Sequence, residues 1–345
     1  MTTQAVAAPT PAGFDPKQAH VAAQWAAERP LVCCRFEPKG RFLFCGLESA
    51  DVQRFNLADG KRVAFPGGHE SWVFSLAFSA DGETAFSGGG DGRIAAWETA
   101  TAAEVPKPVR KIEAHQGWIR ALRVSPDGAL LASGGNDRLV RIWETASGKL
   151  LHELKGHAGH VYSLDFHPNG KTLLSGDLLG TVNQWELPSG KLAGSFDAKP
   201  LHSYNGGQQV DFGGVRGLAV TPDGKFVAAG GLHKATNPLG AVHEPISLLF
   251  DGESRKNVRT LLADGITNGV LWGLRFLADG SLVGACGGGS GGLLIFWKTD
   301  ADKDYHRFAL PNILRDMDLH PDGLRIATAH YDRHVRVTRL AAKTA

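Results

Sequence analysis

From about residue 30 to residue 340 the chain alternates short apolar runs, rich in Val, Leu, Ile and Phe, with brief polar turns. Runs of this length, bounded by Gly, Asp, Asn and Pro, predict strands rather than helices. The pattern is clearest in the middle of the chain, where it predicts strands at Ile119 to Ser125, Leu130 to Ser133, Leu139 to Trp143 and Leu150 to Leu154. Tight turns separate them at Asp127-Gly128, Gly135 to Arg138 and Ser147-Gly148. The same reading gives Val73 to Phe78, Thr84 to Ser87 and Arg93 to Trp97 before it, and Val161 to Phe166, Thr172 to Ser175 and Thr181 to Trp185 after it.

One turn signal recurs through the chain, at Lys39-Gly40, Asp81-Gly82, Asp127-Gly128, Asn169-Gly170, Asp223-Gly224, Asp279-Gly280 and Asp322-Gly323. Its glycines are 42, 46, 42, 54, 56 and 43 residues apart. Asp-Gly and Asn-Gly between apolar runs mark hairpins, because glycine accepts the positive φ that such turns require. Seven turns at one period mean seven copies of a four-stranded unit. A lone four-stranded meander cannot bury both faces, whereas copies stacked radially can. The seventh copy runs out of chain after Val335 to Thr338, while Lys17 to Trp25 belongs to no other unit. The N-terminal segment is therefore expected to supply the last unit's outer strand and close the ring.

Composition sharpens this picture. The 44 glycines among 345 residues suit an all-β chain of many turns, and 43% hydrophobic residues suffice for a core. With 37 basic and 35 acidic residues, the balance gives no reason to expect nucleic acid or an anionic membrane as partner. No apolar stretch is long enough to span a bilayer, and Met1 to Ala12 lacks the features of a secretory signal. Cys33, Cys34, Cys45 and Cys286 lie in apolar runs without metal-ligand spacing, so free buried thiols in a cytoplasmic protein are expected. The expected organisation is a flexible leader over residues 1–16 and a single domain over 17–345, monomeric on its own and needing no cofactor or metal.

Copies two and three combine Gly68-His69 or Ala114-His115, a turn at Asp81-Gly82 or Asp127-Gly128, a Ser-Gly-Gly-x-Asp turn (Ser87 to Asp91, Ser133 to Asp137), and a strand ending in Trp97 or Trp143. The His-to-Ser interval is 18 in both, and again between His157 and Ser175 of copy four, whose strand ends in Trp185. This combination resembles the WD-repeat (WD40) family. The resemblance implies an all-β, seven-bladed propeller. It also implies a hydrogen-bonded set in each good blade: His69, Ser87, Asp91 and Trp97; His115, Ser133, Asp137 and Trp143; His157, Ser175 and Trp185. Copy four has Leu179 where the turn Asp is expected, so its set is expected to lack a carboxylate. Copies five and six place Ala229 and Ala285 at the Ser position, copy one has Cys45 and Phe55, and copy seven keeps Thr328 and Asp332.

Ser133, His115 and Asp137 also have the composition of a hydrolase triad. A set that recurs blade after blade, with each polar group spent on another, is what a structural role produces, and no catalytic residue is expected.

Resemblance to the family implies that the loop before each inner strand and the loop between second and third strands open on one face around a central channel. That face is where a peptide or protein partner is expected, since function concentrates on loops carried by rigid scaffolds. Trp72, Trp118 and His160 start successive inner strands, while Asn136 and Tyr331 precede turn positions. Two long intervals add chain around Lys199 to Phe212, with Tyr204, and around Leu232 to Glu244, with His233. Both insertions are expected on the same face. His202, His233 and His243 have no spacing that presets a metal site, and Gly287 to Gly292 lacks the helix of a phosphate cradle. The expected function is thus an interaction scaffold. The competing readings are a propeller enzyme, lactonase-like or dehydrogenase-like, and a small-ligand sensor using the channel.

Overall fold

Each repeat folds as its turns dictate. In the computed structural model, which describes residues 9–235, 243–289 and 291–343, the hairpin glycines Gly40, Gly82, Gly128, Gly170, Gly224, Gly280 and Gly323 all adopt positive φ. At Gly82 any side chain would also meet the Glu37 carboxylate. The strands joined by these turns form seven four-stranded antiparallel sheets, hereafter blades one to seven. The described residues contain no α-helix, only two three-residue 3-10 turns, Pro16–Gln18 and Lys199–Leu201.

The chain divides into two compact units. The first, Gln18–Lys155 with Arg315–Ala345, holds blades seven, one, two and three. Their inner strands are Leu314–Leu319, Leu31–Phe36, Val73–Phe78 and Ile119–Val124. Blade seven takes its outer strand from the opposite end of the chain. His20–Ala26 runs antiparallel to His334–Arg339, with His20 opposite Arg339 and Ala26 opposite His334. Trp25 of that strand stacks on Phe55 of blade one. The leader expected over residues 1–16 begins in residues 1–8, which lie outside the described residues.

The second unit, with Gly156–Leu314, holds blades four, five and six, whose inner strands are Val161–Phe166, Gly217–Val220 and Val270–Phe276. The longer interval before blade five is a hairpin, His202–Asn205 paired with Val210–Gly213, packed against the second strand of that blade, Phe226–His233. Between His233 and Glu244, which face each other at the strand ends, residues 236–242 of the other insertion lie outside the described residues. Most of the Gly287 to Gly292 run is strand: Gly287 and Gly288 pair with Gly292 and Gly291 where Leu282–Gly288 meets Gly291–Trp297, and of the two residues between, Ser290 lies outside the described residues.

Inside each unit neighbouring blades share apolar layers. Blades one and two enclose Phe44, Phe65, Leu76 and Trp97, and blades five and six enclose Leu249, Leu271, Leu274 and Trp297. Polar pins join the inner strands: Ser75 Oγ donates to the Ile119 carbonyl (3.2 Å) and Ser163 Oγ to the Val215 carbonyl (2.8 Å). The cysteines are free and buried.

Two sequence expectations require correction. The second strands run on to Gly89, Gly135 and Asp177, because these residues still pair with the first residue of the inner strand, Val73, Ile119 and Val161. In blade six the pairing of Leu274 with Gly284, and of Leu282 with Trp297, puts Gly284, not Ala285, at the Ser position. The second and third strands are each longer there, Leu282–Gly288 and Gly291–Trp297, which shifts the count.

Candidate functional site

The recurring polar residues meet as closed hydrogen-bonded sets. In blade two the Trp97 indole N–H donates to Ser87 Oγ (2.9 Å), which lies 2.7 Å from His69 Nε2, while His69 Nδ1 lies 3.2 Å from Asp91 Oδ1. Blade three repeats this with Trp143, Ser133, His115 and Asp137 at 2.9, 2.7 and 2.8 Å. A carboxylate only accepts, so Nδ1 carries the histidine proton and Nε2 is left to accept from the serine hydroxyl. The carboxylates also tie down the turns, accepting from the backbone N–H of Glu70 and Arg93 in one blade and of Gln116 and Leu139 in the other. Burial pushes the Asp91 carboxyl up, but the His69 hydrogen bond and those N–H groups outweigh it and hold its pKa at about 2. Asp137 is held well below the usual carboxylate range: burial opposes, and His115 and Arg141 prevail.

Blade four has a complete set after all, and this is a residue the sequence reading missed. Asp177, two residues after Ser175, replaces the turn Asp that Leu179 had seemed to delete. His157 Nδ1 lies 3.0 Å from Asp177 Oδ2, His157 Nε2 lies 2.6 Å from Ser175 Oγ, and Trp185 donates to Ser175 Oγ at 2.7 Å. The equivalent position in blade two is Gly89, where an added Cβ would sit 2.4 Å from both Asp91 Oδ1 and His69 Nδ1. A strand carboxylate at this place thus grows into the space that a turn carboxylate fills elsewhere. The sequence signal was an Asp at the second glycine of the Ser-Gly-Gly turn.

The remaining blades depart further. In blade seven His330, from the strand itself, lies 2.8 Å from Thr328 Oγ1, and Asp332 receives Arg336. Blade six, with Gly284 opposite its tryptophan, sends the Trp297 indole N–H to the Leu262 carbonyl (2.7 Å). Ser87, Ser133 and Ser175 have no solvent-accessible surface, so an acyl carbon has no approach to any of these hydroxyls.

In each unit the inner-strand entry loops are tied down by a second repeated bond. The N–H of the residue before each turn donates to the carbonyl that opens the inner strand: Glu48 to Pro30, Gly90 to Trp72 and Asn136 to Trp118 in the first unit, and Leu178 to His160 in the second. In the first unit this sets an aromatic ladder. Trp72 lies against Phe74, whose ring stacks on Trp118 at 4.7 Å between centroids. The Arg120 guanidinium covers Trp118 at 4.3 Å and donates Nε to Asn136 Oδ1 at 3.0 Å. Trp72 and Trp118 remain 43% and 39% exposed, unusual for the largest apolar side chains. Tyr331, 48% exposed, carries Arg315 over its ring, and Arg315 also pairs with Glu48.

The other candidates are placed apart from any such ladder. His160 packs edge-on to Tyr162, Tyr204 projects from the blade-five hairpin, and His233 lies 3.3 Å from Glu244. His202 is taken by Asp211 (2.8 Å) and His243 bridges to Asn268. Among the described residues no group of His, Cys, Asp or Glu is arranged to hold a metal ion, and no helix is long and apolar enough to cross a membrane.

Seven four-stranded antiparallel blades define the chain as a seven-bladed β-propeller. The stretches 60–98, 106–144 and 148–186 match the family model for the WD domain, G-beta repeat, each ending one residue after the tryptophan of a complete hydrogen-bonded set. Three of its repeats thus match the WD40 family model, and propellers built of such repeats are commonly protein-interaction scaffolds. No curated protein matches it in sequence.

Proposed function

We propose that this protein is a non-enzymatic interaction module, a single propeller over residues 17–345, that grips a peptide or protein partner with its entry-loop face. The observation that carries the reading is the exposed ladder of Trp72, Phe74, Trp118 and Arg120. Aromatic rings and arginine dominate binding energy at interfaces because they bury much area for little lost side-chain entropy. Here the rings are pre-stacked and the guanidinium is fixed by Asn136, so little ordering remains to be done on binding. The Ser–His–Asp–Trp sets are the internal mortar of the blades. Four buried free thiols fit a reducing compartment, and the cytoplasm is the proposed location.

The test is selection of a random-peptide display library against the wild-type protein, followed by affinity measurement on the Trp72→Ala, Trp118→Ala double variant. Loss of two hot-spot side chains is expected to weaken the selected peptides by about a hundredfold or more. Peptides that bind the double variant equally well refute this face. A chromophore or stoichiometric metal in the purified protein would instead favour the enzyme reading.

A further inference from the structure

The register of the inner strands singles out one position per blade. Pairing skips Val32, Phe74, Arg120, Tyr162 and Trp272. Arg216, just before Gly217, and Arg315, the second residue of its strand, occupy the same place in blades five and seven. Of the three arginines, Arg120 donates to Asn136 and Arg315 pairs with Glu48. Arg216 is different. Its guanidinium lies 4.0 Å from the Tyr162 ring centre and 5.3 Å from that of Trp272, and its Nε donates to the Gly213 carbonyl at 2.7 Å. Among the described residues it has no carboxylate partner. Beside it the buried Trp272 indole N–H finds no acceptor among the described residues.

The Trp272 N–H is thus an unmet buried donor, and the guanidinium beside it, which hydrogen-bonds Gly213 and Tyr162, has no counter-charge; such a pair is costly unless something accepts from the one and balances the other. The missing partner must be an acceptor and must carry negative charge. A single cation matches a single negative charge. A dianionic phosphate would leave one charge uncompensated against the rings, whereas a carboxylate offers two coplanar oxygens, one for the guanidinium edge and one for the indole. Burial lowers the Arg216 pKa from its ordinary value, the direction expected of a guanidinium taken from water without a counter-charge. Arg35 is shifted upward despite burial, because Asp316 supplies that charge.

We propose that Arg216, held between Tyr162 and Trp272, is the receiver for a carboxylate presented by the partner, with the Trp272 indole N–H as second donor. The inference rests on the interaction reading for its partner, but the subsite can be tested without one. The Gly213 carbonyl closes the blade-five hairpin, so this insertion fixes the direction in which the guanidinium points.

The experiment follows the indole N–H resonances of 15N-labelled protein, with the Trp272 signal assigned by its loss in Trp272→Phe. The titrants are acetyl-Glu-amide, acetyl-Gly with a free carboxyl, and acetyl-Gln-amide. A saturable shift of the Trp272 signal with one or both carboxylates, and none with the glutamine compound, supports the site. A response to the glutamate compound alone assigns an acidic side chain; a response to the glycine compound alone assigns a chain terminus. Arg216→Lys is expected to weaken the response by about tenfold, since it loses the planar fork. Arg216→Gln is expected to abolish it while thermal stability holds or rises, because a half-buried charge without a counter-charge is removed. An unmoved Trp272 signal, an equal response to glutamine, or an Arg216→Gln variant that loses stability and keeps the response overturns the proposal. If library peptides are selected and Arg216→Gln binds them unchanged, this subsite fails and the interaction reading stands. If no peptide is selected and the indole still titrates, the reverse holds.

Discussion

Replacing Ser133 with alanine removes one hydroxyl and strands two buried nitrogens. Trp143 Nε1 loses its acceptor at 2.9 Å and His115 Nε2 its partner at 2.7 Å. Ser133 is fully buried, and Trp143 and His115 have side chains almost closed to solvent, so water cannot replace the hydroxyl without opening the blade. A stranded buried polar group costs about 1–3 kcal/mol, so Ser133→Ala is expected to lose about 2–6 kcal/mol. Trp143→Phe removes the indole N–H along with part of the ring and has its own packing cost. In the double variant the indole no longer needs an acceptor, so the two losses are expected to fall short of additivity by about 1–3 kcal/mol. Reversible urea unfolding of the wild type, both single variants and the double variant, followed by circular dichroism, measures the cycle. Additivity within about 0.5 kcal/mol would refute the claim that the hydroxyl serves the tryptophan. Ester hydrolysis by the wild type that disappears in Ser133→Ala would refute the structural role altogether.

Two further predictions follow from the same sets. In blade four the carboxylate is on Asp177, which accepts from His157 Nδ1 and from the N–H groups of Leu179 (3.0 Å) and Thr181 (2.8 Å). Asp177→Ala is therefore expected to cost about 3 kcal/mol or more, since hydrogen bonds to a charged group contribute about 1.5–3 kcal/mol each; Leu179→Ala, read in the same unfolding assay, should cost far less, and equal losses would return the role to the turn. Acid should unfold the protein in a defined window: the Asp91 carboxyl is held at about 2 when folded and near 3.9 when unfolded. A depressed folded pKa contributes stability that is present above the unfolded value and lost as pH falls through the folded one. The urea midpoint should accordingly drop between about pH 4 and pH 2, and Asp91→Asn should flatten that part of the profile. An unchanged slope in Asp91→Asn would remove Asp91 from the explanation.

What could be read from the residues was whatever local chemistry fixes. Asp-Gly and Asn-Gly turns encode hairpins wherever they occur, so the seven copies, their strands and the role of Lys17 to Trp25 as an extra strand were legible before any coordinates. The His-to-Ser interval of 18 likewise located the members of three sets, because both ends of each interval lie within one blade. Tertiary structure decided what depends on occupied space. A carboxylate can reach His157 from the strand at Asp177 or from a turn, and only packing shows which volume is filled. Gly284 rather than Ala285 faces Trp297 because longer second and third strands shift the count, which spacing alone does not reveal. Whether Trp118 stacks on Phe74, and whether Arg216 has a counter-charge, are relations between residues of different blades. The sequence names those residues, but only folding determines which of them meet.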